Sequence, residues 1–322
     1  MGGSLVLLLL VIALAGCSGR VLALLPSAPQ GEQRISTPRS LWRINVADRS
    51  FLPRYKPLEM SAPVLCAGGR DIIVASSSRE VLRARSDDGT IVWRTLVKGA
   101  VNGRPYVDAQ MLLVNHDGGS LDRLDPETGE IVWQYPLRGV VRNTPLVADG
   151  RVYFTSEEER LYALDARTGK WLWEYQRHAP DDFIIAGIAP PVLAGGGVVA
   201  GFADGTLVSL QPEDGSLRWS ANLAEAGTQF PDVEVILPQG EDLVLASSFA
   251  GGLYALDART GEIGWHRAGL RGIVSLLASG EELFASTGDG TVLKLTGDGS
   301  RLLWKKRYGG GCIRSLFSHH GY

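Results

Sequence analysis

Surplus charge of either sign is missing from this chain: 32 Lys and Arg face 35 Asp and Glu, a net of −3. Such a balance leaves no electrostatic footprint for phosphates and argues against a nucleic-acid partner. Cysteine is scarce, with Cys17, Cys66 and Cys312 alone. None stands beside another or in a C-x-x-C pair, and H-E-x-x-H is absent, so the spacings of zinc sites are missing. A G-x-S-x-G elbow and a phosphate-binding glycine loop are absent as well. The unbroken apolar run from Leu5 to Ala15 falls short of the about 20 residues that cross a bilayer as a helix. No catalytic, cofactor or metal site is therefore expected. What is abundant is glycine, 40 residues, with 16 prolines and a hydrophobic share of 45%, the makings of many short strands joined by tight turns.

The apolar run has the length and place of a signal-peptide core. It ends in Leu14-Ala15-Gly16-Cys17, which resembles the bacterial lipobox, although the preceding Met-Gly-Gly-Ser carries no Lys or Arg. The resemblance implies a leader over residues 1–16, acylation of Cys17 and, from Ser18, sorting to the outer membrane with the chain on the periplasmic face. Acyl chains at about 0.8 kcal/mol per buried methylene anchor a protein stably once several are attached. Residues 17–40 contain Pro26, Pro29, Gly31 and Pro38 without a repeat signal, and read as a flexible tether of about 25–30 Å reach. In an oxidising compartment Cys66 and Cys312 could pair, but both read as small apolar side chains at opposite ends of their strands.

From residue 41 to 322 the chain is repetitive. Residues 161–173 read LYALDARTGKWLW and 253–265 read LYALDARTGEIGW, with nine consecutive identities. Residues 81–93, 121–133 and 207–219 follow the same plan, and 292–304 does so with its glycine one residue early. The repeated tryptophans are Trp42, Trp93, Trp133, Trp173, Trp219, Trp265 and Trp304, at intervals of 51, 40, 40, 46, 46 and 39. A period near forty built only from strand signals predicts one four-stranded antiparallel blade per copy, hence an all-β propeller. Within a copy, Pro145-Leu146-Val147, Val152-Tyr153-Phe154 and Leu161-Tyr162-Ala163-Leu164 read as three strands, and the Trp173 segment as the fourth. Asp165 opens the last turn by accepting a backbone hydrogen bond and Gly169 closes it with positive φ. Asp125 and Asp257 repeat that turn role, which outweighs a calcium reading. Asp-Gly pairs at 117–118, 204–205 and 289–290 predict tight hairpins.

Six complete blades follow a lone closing strand around Trp42. A composite seventh starts at Ile313 to Phe317 without its middle strands, so the expected C-terminus is truncated by about 20–25 residues, half a blade period.

The Leu-Tyr-Ala-Leu-Asp-x-x-Thr-Gly-x-x-x-Trp copy resembles the pyrroloquinoline-quinone-type propeller repeat. With the lipobox, with Ala189-Pro190-Pro191 leading to Gly201-Phe202-Ala203-Asp204-Gly205, and with Asp232-Val233-Glu234, the chain resembles the BamB family of lipid-anchored propellers. That resemblance implies a non-catalytic scaffold that binds a BamA-like barrel-assembly protein. Two features depart from it: the family usually has eight blades, and its apolar-x-apolar-Arg-Gly loop stands here as Phe183-Ile184-Ile185-Ala186-Gly187, without the arginine.

Propeller topology puts interblade loops and second-to-third-strand hairpins on one face, where the wide Trp intervals add length at 45–60, 174–187 and 220–234. Phe183 and Ile185 there read as an apolar partner anchor or as the start of the next strand. Asp232 and Glu234 alternate across Val233 and read as a paired-carboxylate contact or as solvated rim charge. Two other functions compete: a lipid-anchored propeller binding a small molecule or polysaccharide in its central funnel, and a quinoprotein dehydrogenase. Against the dehydrogenase stands the lack of a vicinal cysteine pair.

Overall fold

The computed structural model describes residues 61–101, 103–137, 139–177, 189–224 and 231–308, with the strands Leu9–Ala13, Val21–Leu24 and Ser315–His319. Six four-stranded antiparallel sheets, each made of four consecutive strands, follow one another along the chain. Blade 1 opens with Val64–Cys66 and closes with Ile91–Leu96; blade 2 runs from Tyr106–Val107 to Ile131–Pro136. Blade 3 comprises Leu146–Ala148, Arg151–Ser156, Arg160–Asp165 and Trp171–Gln176. Blade 4 opens with Val192–Ala194 and closes with Leu217–Asn222, blade 5 runs from Val233–Gln239 to Ile263–Arg267, and blade 6 from Ile273–Ser279 to Leu302–Arg307. This is the propeller architecture that the forty-residue period predicts, and the hairpins turn at the Asp-Gly pairs 117–118, 204–205 and 289–290.

The middle strands are largely apolar because both of their faces are covered. In blade 3, Val152, Phe154, Tyr162 and Leu164 point into the seam with blade 2, and Tyr153, Leu161 and Ala163 into the seam with blade 4. The two-residue period thus distributes one strand between two cores. Five such cores join blades 1 to 6 in order.

The fourth strand closes each seam by a repeated device. In all six blades its register slips just before the tryptophan, so one extra residue bulges out. The indole N–H of Trp93, Trp133, Trp173 and Trp219 donates to the carbonyl of Pro126, Ala166, Pro212 and Ala258 in the turn of the next blade. The turn glycine, Gly129, Gly169, Gly215 or Gly261, lies against that ring so closely that a Cβ would come within 2.6 Å of it. Asp165 holds its turn by accepting from the Thr168 N–H at 2.7 Å and the Thr168 hydroxyl at 2.6 Å; Asp125 and Asp257 do likewise with backbone N–H groups. These bonds hold all three carboxyls below the usual carboxylate range.

After blade 6 the strand Ser315–His319 begins a further sheet, with Leu316 packed on Phe284 and Val292. Its partner is Leu9–Ala13, itself paired with Val21–Leu24. The expected partner around Trp42 lies outside the described residues, as do Cys17 and most of the tether. An open strand edge accepts an extended apolar segment within reach, and Leu9–Ala13 supplies one here.

Candidate functional site

The wide Trp intervals resolve into two different insertions. Between Trp173 and Trp219 the extra length lies in the link 177–191, whereas between Trp219 and Trp265 it lies in blade 5 itself. The first strand there, Val233–Gln239, has 7 residues, against 3 for Val192–Ala194 in blade 4. Phe183 and Ile185 fall outside the described residues, as do His178, Asp181 and Asp182. Asp232 and Glu234 are described, at the entry to blade 5.

That entry is fastened from three sides. The Val233 N–H donates to the Phe202 carbonyl at 3.2 Å, the Phe249 N–H donates to the Asp232 carbonyl at 2.9 Å, and the Ser248 hydroxyl donates to the Pro231 carbonyl at 2.8 Å. The Val233 side chain fills the space where Gly201 lacks a Cβ. The ladder slips between Val233 and Val235, so Glu234 is a bulged residue and the simple alternation expected across Val233 is broken here. Neither carboxylate is a rim charge: Asp232 is 0% exposed and Glu234 8%. Both Asp232 side-chain oxygens are buried without a hydrogen-bond partner among the described residues. Burial pushes the Asp232 carboxyl up to about 6, against its own backbone N–H. Burial pushes Glu234 up to about 7, helped by the Asp232 charge.

A third buried carboxyl belongs to the same group, and the sequence reading missed it. Glu159 ends the blade 3 hairpin in the left-handed region at φ +58° and is buried. Its Oε2 accepts the Ala203 N–H of the blade 4 hairpin at 2.9 Å. Burial pushes it up to about 7, with the Asp204 and Asp232 charges adding to the effect and the Ala203 N–H and Arg177 opposing it. The Arg177 guanidinium is already engaged, donating from Nε at 3.0 Å and Nη2 at 2.7 Å to Asp204 Oδ2. Beside this buried group Phe249 stands 37% exposed at the blade 5 hairpin. Its signal in the sequence is an aromatic in Ser247-Ser248-Phe249-Ala250-Gly251, at the position where the turns of blades 2 and 3 carry Asp117 and Glu157.

A second polar cluster is structural. His116, Ser120 and Asp122 are buried inside the blade 2 hairpin. The Gly118 N–H donates to His116 Nδ1 at 3.1 Å, which makes Nε2 the donor to Asp122 Oδ2 at 3.2 Å. Ser120 lies 3.0 Å from that same Nε2 and donates to Asp122 Oδ1 at 2.6 Å. In an acyl-transfer triad the serine and the acid address opposite ring nitrogens; here both meet one, so the histidine cannot relay a proton between them. His266 stacks on Tyr254 with ring centroids 4.0 Å apart and its Nε2 lies 2.6 Å from the Gly251 carbonyl. Cys66 is half-buried, and burial pushes its thiol up; Cys312 lies outside the described residues. Among the described residues no group of three or more His, Cys, Asp or Glu is placed to hold a metal ion, and no helix is long and apolar enough to cross a membrane.

Blades of this repeat, sealed by tryptophan against a neighbouring turn glycine, define a β-propeller of the pyrroloquinoline-quinone-type repeat class. The family model described as outer membrane protein assembly factor BamB matches residues 34–139 and 113–306, and the chain belongs to that family. The BamB proteins of Yersinia pestis and Salmonella typhimurium are 22% identical over 275 residues and 25% over 271, covering 84% and 83% of this chain. The chain spans 59% and 58% of the length of these curated relatives. The crystal structure of BamB from Moraxella catarrhalis is similar at a TM-score of 0.57 with 19% identity, covering 79% of this chain and 89% of that one. A computationally designed protein is similar at a TM-score of 0.63 with 16% identity, over 76% of this chain and 74% of its own.

Proposed function

We propose that this protein is a lipid-anchored scaffold at the periplasmic face of the outer membrane, held by Cys17, that serves outer-membrane protein assembly by docking a BamA-like barrel-assembly protein. The docking face is the hairpin side of blades 3 to 5. One observation carries the choice: the exposed Phe249 sits on a hairpin whose backbone is bonded to Asp232, at the entry where the first strand of blade 5 is lengthened. An exposed aromatic on a rigid, hydrogen-bonded hairpin is the kind of residue that anchors a protein interface. Asp232 and Glu234 act from behind this surface, shaping the hairpin, while Phe183 and Ile185 extend the apolar contact along the link. The assembly role is supported by the family match and by the names of the relatives, which are assembly factors. The reading assigns the chain no catalytic step and no cofactor.

The test is affinity purification of the tagged full-length protein from cross-linked envelopes, followed by mass spectrometry. Recovery of a barrel-assembly component, lost when Phe249 and Phe183 are changed to Asp, supports the reading. A well-extracted sample without any barrel-assembly protein overturns it.

A further inference from the structure

Among the described residues, the buried carboxyls at the junction of blades 3, 4 and 5 have no counterion of their own. Five charged groups meet there from the described elements that pack at the junction, with the Tyr175 hydroxyl beside Arg177. Glu159 comes from the blade 3 hairpin, Arg177 from the end of blade 3, Asp204 from the blade 4 hairpin, and Asp232 and Glu234 from the entry to blade 5. Four are acidic and one is basic, and the single guanidinium is bound to Asp204. Glu159, Asp232 and Glu234 are left without a cation of their own, and Asp232 has neither a cation nor a hydrogen-bond donor on either oxygen among the described residues. A buried carboxylate with no partner costs several kcal/mol, and the ordinary escape is to keep its proton.

We infer that Glu159, Asp232 and Glu234 form a proton-loaded latch that ties the hairpins of blades 3 and 4 to the entry of blade 5, and that losing its protons loosens the docking face. The inference rests on the docking reading only for its consequence, because the latch itself belongs to the isolated protein. The geometry shows how protonation reaches the backbone. Glu159 accepts the Ala203 N–H at 2.9 Å from the left-handed turn position that Arg79 and Gly119 hold in blades 1 and 2. The preceding residue on that hairpin, Phe202, supplies the carbonyl that receives the Val233 N–H, and Val233 separates Asp232 from Glu234. Mutual repulsion among three ionised carboxylates, together with their burial, therefore acts across two of the hydrogen bonds between these blades and outweighs the preference of the Ala203 N–H for a charged Glu159. The sign follows from linkage: acids whose native values stand above their ordinary ones stabilise the fold most below pH 4, and that stability is lost as pH rises towards about 7.

The test uses the isolated full-length chain in detergent. Hydrogen exchange of the Ala203 and Val233 amides, corrected for intrinsic rates, is followed from pH 5 to pH 8. With one proton retained by the latch, the local opening constant rises about tenfold per pH unit through the window where that proton is lost. In the variant Glu159→Gln, Asp232→Asn, Glu234→Gln, which mimics the protonated state, the same amides stay protected and the pH dependence disappears. Infrared absorption supplies a second reading that needs no folded triple variant: wild type keeps protonated-carboxyl absorbance at pH 6, and Glu234→Gln alone reduces it. Flat exchange of wild type across this range, an unchanged slope in the triple variant, or no protonated carboxyl at pH 6 each overturns the latch. None of these outcomes bears on partner capture, so the docking reading stands or falls separately.

Discussion

Trp173 of blade 3 donates its indole N–H to the Pro212 carbonyl of blade 4 at 3.0 Å, while Gly215 of that same turn lies under its ring. The repeated glycine thus has two tasks. It takes φ of +74° to close the turn, and it leaves the space the tryptophan occupies. Gly150 has nearly the same φ, +71°, but nothing lies within 4 Å of where its Cβ would stand. Alanine at Gly150 should cost only the left-handed backbone term, about 1–2 kcal/mol. Gly215→Ala adds a methyl 2.6 Å from the ring and should cost at least about 2 kcal/mol more, by overpacking. Urea denaturation of the two variants checks this, and equal losses would show that the glycine serves the turn alone.

The same seam predicts unequal roles for equivalent tryptophans. Trp173 is 5% exposed and also meets Tyr153 with ring centroids 5.7 Å apart. Trp304, at the same repeat position, is 39% exposed, with Phe284 at 6.4 Å and no turn of a following blade among the described residues. Trp173→Ala should destabilise by about 3–5 kcal/mol, as truncating a buried Trp does. Trp304→Ala should cost about 1 kcal/mol, since most of its contact is one-sided. Denaturation midpoints of both variants decide it.

The blade 2 network predicts an acid-sensitive contribution. Burial alone would raise the Asp122 carboxyl, but hydrogen bonds from His116, Ser120 and Gln134 outweigh it and hold the group below its ordinary value. A depressed native value means stability that is present above the ordinary carboxylate range and is lost as pH falls through the native one. Asp122→Ala strands two buried donors, on His116 and Ser120, at about 1–3 kcal/mol of desolvation each, partly relieved by relaxation. It should therefore destabilise clearly at pH 7 and much less at the acid end of the native state's range. Thermal unfolding of wild type and variant at several pH values checks the convergence.

The periodic elements were legible because they repeat: strands, Asp-capped turns, hairpins at Asp-Gly pairs and the tryptophan positions all recur near every fortieth residue. The contact between Trp173 and the turn glycine Gly215 of the next blade was not legible, because the two are far apart in sequence and their contact leaves no local pattern. The site was half legible. Asp232 and Glu234 stand out as an acidic pair, but a bulge at Glu234 and full burial replace the exposed pair that alternation predicts. Glu159 hides in Ser156-Glu157-Glu158-Glu159-Arg160, which reads as a solvated turn until the neighbouring blade buries its last glutamate. The partner of Ser315–His319 was missed for a different reason: edge pairing is unspecific, and Leu9–Ala13 is as apolar as any repeat strand.

Phe249 separates docking from folding. Its ring is exposed while its backbone N–H is committed to the Asp232 carbonyl, so replacing the side chain leaves that hydrogen bond in place. A surface change of this kind moves stability by about 0.5 kcal/mol or less. Phe249→Asp should therefore unfold at the wild-type urea midpoint and yet recover far less barrel-assembly protein, because a charge now sits where an apolar anchor is needed. Phe249→Leu keeps an apolar anchor and should recover most of the capture. If the aspartate variant binds like wild type, Phe249 is an incidental exposed aromatic and the docking face lies elsewhere on the propeller.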